Sequence, residues 1–224
     1  MSPSSAPVDA VQTQRLLKLT EIIHFLHSRG WTPATSSNFS CRLPDEGSPG
    51  FSISVSGLDK GAFSAENFMD VDFAGQVIHP EQAHLRPSAE TLLHALVYQK
   101  DTSAQVVLHT HSVNGTVLSK LYEAQKGIGL KDFEVLKGLE GTATHQTEIW
   151  LPIFSNAQDM SALSAEIEAG WGNHPPLYGF LLAGHGLYTW GATHAQAKRH
   201  VEVFEFLFDC ILKLRSHGYP DYSR

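Results

Sequence analysis

Apolar residues recur at helical spacing through Leu16, Leu19, Ile22, Ile23 and Leu26, which predicts a helix over about 11–29 that stops near Gly30. ATSSNFSCR then reads as a small polar turn entering a strand. Here the period changes to two. In FSISVSG, Phe51, Ile53 and Val55 alternate with serines, the pattern of a half-buried strand ending at Gly57. NFMDVD and GQVI suggest a hairpin turning at Gly75. RPSAETLLHALVYQ opens with Pro and Ser and carries a helical apolar face; QVVLH is a strand and 112–122 a helix. Residues 123–147 show no clear period. EIWLPIF, YGFLLAG and GLYTWG are strands, the last two paired. THAQAKRHVEVFEFLFDCILKLRSHG closes the chain as a long helix, with Thr193 and Gln196 at capping-box spacing. Strands and helices mix with hairpin-like returns and no internal repeat. That predicts an α/β sandwich on a mixed, mostly antiparallel sheet.

Composition narrows the function classes. At 224 residues the chain suits one domain, over 10–224, behind a loose tail at 1–9. The two cysteines, Cys41 and Cys210, form no Cys-x-x-Cys pattern, which suits ordinary thiols in a reducing compartment, the cytoplasm. A net charge of −7 without a basic block argues against a nucleic-acid partner. No signal-peptide pattern opens the chain and no apolar run is long enough to span a membrane. Thirteen histidines raise the prospect of metal or proton-transfer chemistry.

Two of them, His109 and His111 in VVLHTHS, are two residues apart at the end of a predicted strand. Positions i and i+2 share a face, so both rings can aim at one object, a metal ion first of all; a stacked pair of half-buried histidines is the alternative. Ligands gather at strand ends in α/β folds, and a catalytic zinc takes three protein ligands while leaving a position open. His185, flanked by Gly184 and Gly186 in LLAGHGLYTWG, is the best third ligand; a plain glycine turn is the alternative. Glu90 stands near a helix start one helix and one strand before His109, a connection that returns it to the strand's end. A first-turn glutamate serving the helix dipole is the alternative. Glu134 in KDFEVLKG is by composition an ordinary charged residue. Three polar junctions, Thr35–Asn38, Ser56–Gly61 and Arg86–Glu90, offer hydroxyls and backbone N–H groups suited to a phosphate, although turn chemistry alone would explain each. Together they suggest a phosphorylated small molecule held by Ser37, Asn38, Ser56, Gly57 and Ser88, with Lys60 nearby.

The ordered set TSSNFS…SG…PSAE…HTH…GHG resembles the class II (zinc-dependent) aldolase-like family, from roughly Leu16 to Leu214. The resemblance implies a three-layer α/β/α sandwich and a lyase with one Zn²⁺ per subunit on His109, His111 and His185. It also implies a sugar-phosphate substrate and a homotetramer. PSAETLLHALVYQ, FEVLKGL and WGATHAQAKRHVEVFEFLFD are most similar to the family's dehydratase branch, which serves methionine salvage. On that likeness Glu134 matches the acid/base glutamate of the dehydratases and Glu90 the catalytic glutamate of the aldolases. The expected order is Glu134 as principal acid/base and Glu90 assisting near the metal. Two positions depart from the pattern. Animal dehydratases carry cysteine where Glu90 stands, and many members have glycine where Ser37 stands. An aldolase or 4-epimerase of the same family, or a zinc-stabilised protein without catalysis, are the alternative readings.

Overall fold

Eight strands lie side by side in one sheet in the order β3-β2-β1-β4-β8-β7-β6-β5. The computed structural model describes residues 6–44, 50–175 and 177–219. In chain order the elements are α1 (Ala6–Ser28), β1 (Asn38–Arg42), β2 (Gly50–Ser54), β3 (Phe68–Asp72), α2 (Thr91–Lys100), β4 (Val106–Thr110) and α3 (Val113–Leu121). They continue with β5 (Gly127–Leu130), β6 (Ile149–Phe154), α4 (Met160–Gly170), β7 (Gly179–Leu182), β8 (Gly186–Gly191) and α5 (His194–Ser216). Every neighbouring pair is antiparallel except β6 with β7, so the sheet is mixed and mostly antiparallel, as expected.

The two-residue period of the strands sorts the core into layers. Val107 on β4 packs with Leu93 and Val97 of α2 and Leu163 and Ile167 of α4. Its neighbours Val106 and Leu108 face the opposite way, against Leu19, Ile23 and Leu26 of α1 and Val201 of α5. Further along that second face, Leu118 of α3 and Phe204, Leu207 and Phe208 of α5 cover β5, β6 and β7. Helices on both faces of one sheet make the three-layer sandwich. His109 has the parity of Val107 and so emerges on the α2 side.

Some boundaries differ from expectation. The first helix begins at Ala6, inside the stretch read as a tail, and residues 1–5 lie outside the described residues. The second arm of the Gly75 hairpin is reduced to one bridge, Val71 to Val77. β5 and α4 had no counterpart in the sequence reading. At the start of α5, the Thr193 hydroxyl accepts from the Gln196 N–H. The Gln196 side chain accepts from the Ala192 N–H, one residue short of a full capping box.

Candidate functional site

The three histidines expected to act together do meet. His109 is on β4, and His111 stands just past its end, where its N–H donates to the Trp31 carbonyl at 2.8 Å and fixes the exit of the chain. Ser112 then caps α3 by accepting from the Gly115 N–H. His185 occupies the turn between β7 and β8. Gly184 adopts a left-handed φ of 66° there, and a Cβ on Gly186 would lie 2.0 Å from the Thr110 carbonyl oxygen. Only glycine at both places lets the turn lay His185 against the end of β4.

The Nε2 atoms converge. They stand 2.7 Å apart between His111 and His109, 3.3 Å between His109 and His185, and 3.2 Å between His185 and His111. The outer nitrogens are committed elsewhere: His109 Nδ1 donates to the Leu187 carbonyl and His185 Nδ1 to Asn156 Oδ1, each at 3.0 Å. A neutral imidazole carries one ring proton, so a ring that donates from Nδ1 presents a bare lone pair at Nε2. Burial pushes the His109 pKa well below its ordinary value and that of His111 down to about 4, which keeps both neutral at pH 7. Facing lone pairs repel unless a cation lies between them. Nitrogens bound at about 2.0–2.1 Å to a tetrahedral zinc would be about 3.3–3.4 Å apart, close to two of the three separations here. The donor set therefore fits a divalent metal, and the Tyr188 ring stacks on His109 at 4.0 Å between centroids to hold that ring's plane.

Glu90 closes the cluster. Its Oε1 lies 3.1 Å from His185 Nε2 and its Oε2 3.3 Å from His109 Nε2. The Asn38 amide donates to Glu90 Oε2 at 2.6 Å, a hydrogen bond that favours the carboxylate form. The Glu90 N–H also donates to Ser88 Oγ at 3.2 Å, which ties the loop to the helix start.

A cavity of about 200 Å³ opens beside Glu90 and His111, walled by residues 35–38, 54–57 and 88–90. Ser37, Asn38, Ser56, Gly57 and Ser88 all line it. Ser37 sits at a φ of 71°, in the left-handed region, and its buried hydroxyl has no hydrogen-bond partner among the described residues. Lys60 is not on the wall. Its stem is buried and its Nζ donates to the Leu58 carbonyl at 2.9 Å and the Thr35 carbonyl at 3.5 Å, while burial lowers its pKa to about 8. It braces the Thr35 loop from behind.

Residues 17–212 match the family described as class II aldolase and adducin N-terminal domain. The chain belongs to this family. It is 45% identical over 223 residues to a methylthioribulose-1-phosphate dehydratase of Xanthomonas campestris pv. campestris (strain 8004), covering 96% of this chain and 99% of that one. A protein of the same name from Marinobacter nauticus is 45% identical over 195 residues, 87% of this chain and 91% of its own length. Among solved structures, L-fuculose-1-phosphate aldolase from Thermus thermophilus superposes with a TM-score of 0.70 at 21% identity, covering 92% of this chain and 96% of that one. YgbL from Escherichia coli, described as a putative aldolase/epimerase/decarboxylase, gives a TM-score of 0.75 at 20% identity and covers 91% of each chain. These two likenesses establish the class II aldolase fold.

Glu134 is not brought to the histidines within this class II aldolase chain. It begins a short 3₁₀ turn after β5, one of the two edge strands of the sheet. Its side chain is 72% exposed and pairs with Lys137 at 2.6 Å and His145 at 3.3 Å. Conversely, the sequence reading passed over Asn156, Tyr188 and His94. Asn156 lies in a loop after β6, where no periodicity marks it. Tyr188 was legible only through the pairing of β8 with β4, which sets it opposite His109.

Proposed function

We propose that the chain removes water from 5-methylthioribulose 1-phosphate to give 2,3-diketo-5-methylthiopentyl 1-phosphate, the dehydratase step of methionine salvage. The observation that carries this reading is 45% identity, over 96% of the chain, to a relative bearing that activity in its name. The geometry is compatible: a metal-fitting triad, a carboxylate and a hydroxyl-lined cavity share one wall.

In this reading His109, His111 and His185 hold one zinc ion. When bound, zinc supplies a Lewis acid that makes the carbon next to the C2 ketone easier to deprotonate. Ser37, Asn38, Ser56, Gly57 and Ser88 receive the phosphate through hydroxyls and backbone N–H groups, with Lys60 supporting the loop. Glu90 takes the C3 proton. The C4 hydroxyl leaves as water once protonated, and the enol left behind becomes the diketone by moving a proton from the C3 oxygen to C4. One carboxylate serves both transfers if it reaches both atoms. The order expected from sequence is thereby reversed: Glu90 leads, and Glu134 takes part only if a second copy of the chain presents it. A homotetramer working in the cytoplasm completes the proposal, supported by family likeness and by two free thiols. Among the described residues no helix is long and apolar enough to cross a membrane.

The discriminating experiment offers one zinc-loaded preparation two reactions. Diketone from methylthioribulose phosphate supports the dehydratase reading. Condensation of dihydroxyacetone phosphate with an aldehyde, without diketone, would replace it by an aldolase reading.

A further inference from the structure

Behind Glu90 runs a row of buried polar side chains whose hydrogen bonds to one another the chemistry above leaves unused. Asn38 Nδ2 is 2.6 Å from Glu90 Oε2, and Asn38 Oδ1 is 2.5 Å from His94 Nε2. His94 Nδ1 is 2.7 Å from Ser40 Oγ, which is 2.8 Å from the Tyr98 hydroxyl. Ser40 and His94 are fully buried, Tyr98 is 1% exposed and Asn38 6%. The arrangement follows from two periods. Glu90, His94 and Tyr98 are four apart on one stripe of α2 and its cap, spaced about 6 Å along the helix. Asn38 and Ser40 are two apart on one face of β1, spaced about 6.6 Å along the strand. The repeats nearly match, so helix and strand side chains alternate in a single file.

The direction of every hydrogen bond is fixed from one end. Asn38 donates from its amide nitrogen to Glu90 Oε2, which turns its oxygen to His94. His94 must then carry its proton on Nε2. It is neutral, because burial lowers its pKa to about 3, so its Nδ1 is an acceptor and takes the Ser40 hydroxyl proton. Ser40 Oγ in turn accepts from Tyr98. Each donation polarises the next, and all of them point at Glu90.

We propose that Tyr98, Ser40, His94 and Asn38 form a one-way hydrogen-bond relay that keeps Glu90 aimed at the metal centre, with His94 as its central positioning residue. A neutral histidine suits the middle place because it accepts on one side and donates on the other. The relay stabilises negative charge on Glu90 without setting a competing cation beside the metal or the phosphate. Its catalytic consequence rests on the dehydratase reading; its hydrogen-bond direction does not.

Two variants and one spectrum test it. His94→Phe keeps the ring volume and removes both hydrogen bonds. His94→Gln restores one donor and one acceptor. We expect kcat to fall about 10–100-fold in His94→Phe, the range typical for loss of a group that orients a metal-site residue. Bound zinc and KM should stay near wild type, and His94→Gln should recover most of the turnover. In metal-free wild-type protein, ¹⁵N NMR should show His94 neutral and protonated on Nε2. An Nδ1-protonated or cationic His94 overturns the relay, whether or not His94→Phe folds. So does a His94→Phe enzyme with full turnover, or a folded His94→Gln that is as impaired as His94→Phe. A wild-type protein with the expected tautomer and no dehydratase activity would sink the functional reading and leave the relay standing.

Discussion

Replacing Glu90 by glutamine separates proton transfer from metal binding. Among the described residues Glu90 is the only carboxylate within 4 Å of the triad nitrogens, with its oxygens 3.1 and 3.3 Å from His185 and His109. The amide keeps the side chain's shape, and its oxygen still accepts from Asn38 Nδ2, which stands 2.6 Å from the present carboxylate. What it loses is the ability to take a proton from carbon. General acid–base help is worth about 10²–10⁴-fold, so the barrier should rise by about 3–5 kcal/mol. The three imidazoles remain, and zinc stoichiometry should stay near one. The assay is kcat for diketone formation with metal content measured on the same sample, run beside Glu134→Gln. Glu134 is paired with Lys137 and His145 at the surface, so its variant should turn over near the wild-type rate. A Glu90→Gln enzyme that works normally, beside a Glu134→Gln enzyme that is dead with zinc bound, would refute the reasoning and move the proton chemistry to Glu134.

Asn156→Ala removes the acceptor that fixes His185 Nδ1–H and should weaken zinc binding about 10–100-fold, measured by competition with a chromogenic chelator. Ser88→Ala should raise KM for the phosphorylated substrate while zinc content holds, since Ser88 lines the cavity and touches no triad nitrogen; steady-state kinetics with metal analysis checks it. The metal-free protein should lose stability on acidification. His94 is held at about 3 against an ordinary 6.5, so between these pH values the unfolded chain binds more protons, and stability falls as pH falls through the window. Melting temperatures at pH 7 and pH 4.5 should show the lower value at pH 4.5.

Much of the site was legible because it obeys simple periods. The two-residue spacing of His109 and His111, the glycines around His185 and the return of a helix to a neighbouring strand all point, in the sequence itself, to the triad and Glu90 lying together. The serine-rich junctions foretold the cavity wall for the same reason: each ends an element. Other parts left no such mark. β5 is the stretch Gly-Ile-Gly-Leu, whose first glycine is packed against the Trp150 ring, where a Cβ would come within 2.3 Å. That requirement comes from a distant residue and has no local signature. α4 buries only Leu163 and Ile167, a stripe too thin to announce a helix among alanines and serines, although Asp159 caps it with bonds from Ser161 and Ala162. The sequence marks His94 only as a histidine within a helical stretch. Its meaning depends on Asn38 and Ser40, more than fifty residues away, and only the packing of α2 on β1 reveals it.

The central claim is elimination of water at a histidine-held metal. The most direct test measures diketone formation from 5-methylthioribulose 1-phosphate by one preparation in three states: as isolated, stripped with a chelator, and restored with stoichiometric zinc. The account predicts product as isolated, none after stripping, and recovery on adding zinc to the wild type but not to His109→Ala. Undiminished diketone formation by verified metal-free protein would contradict it.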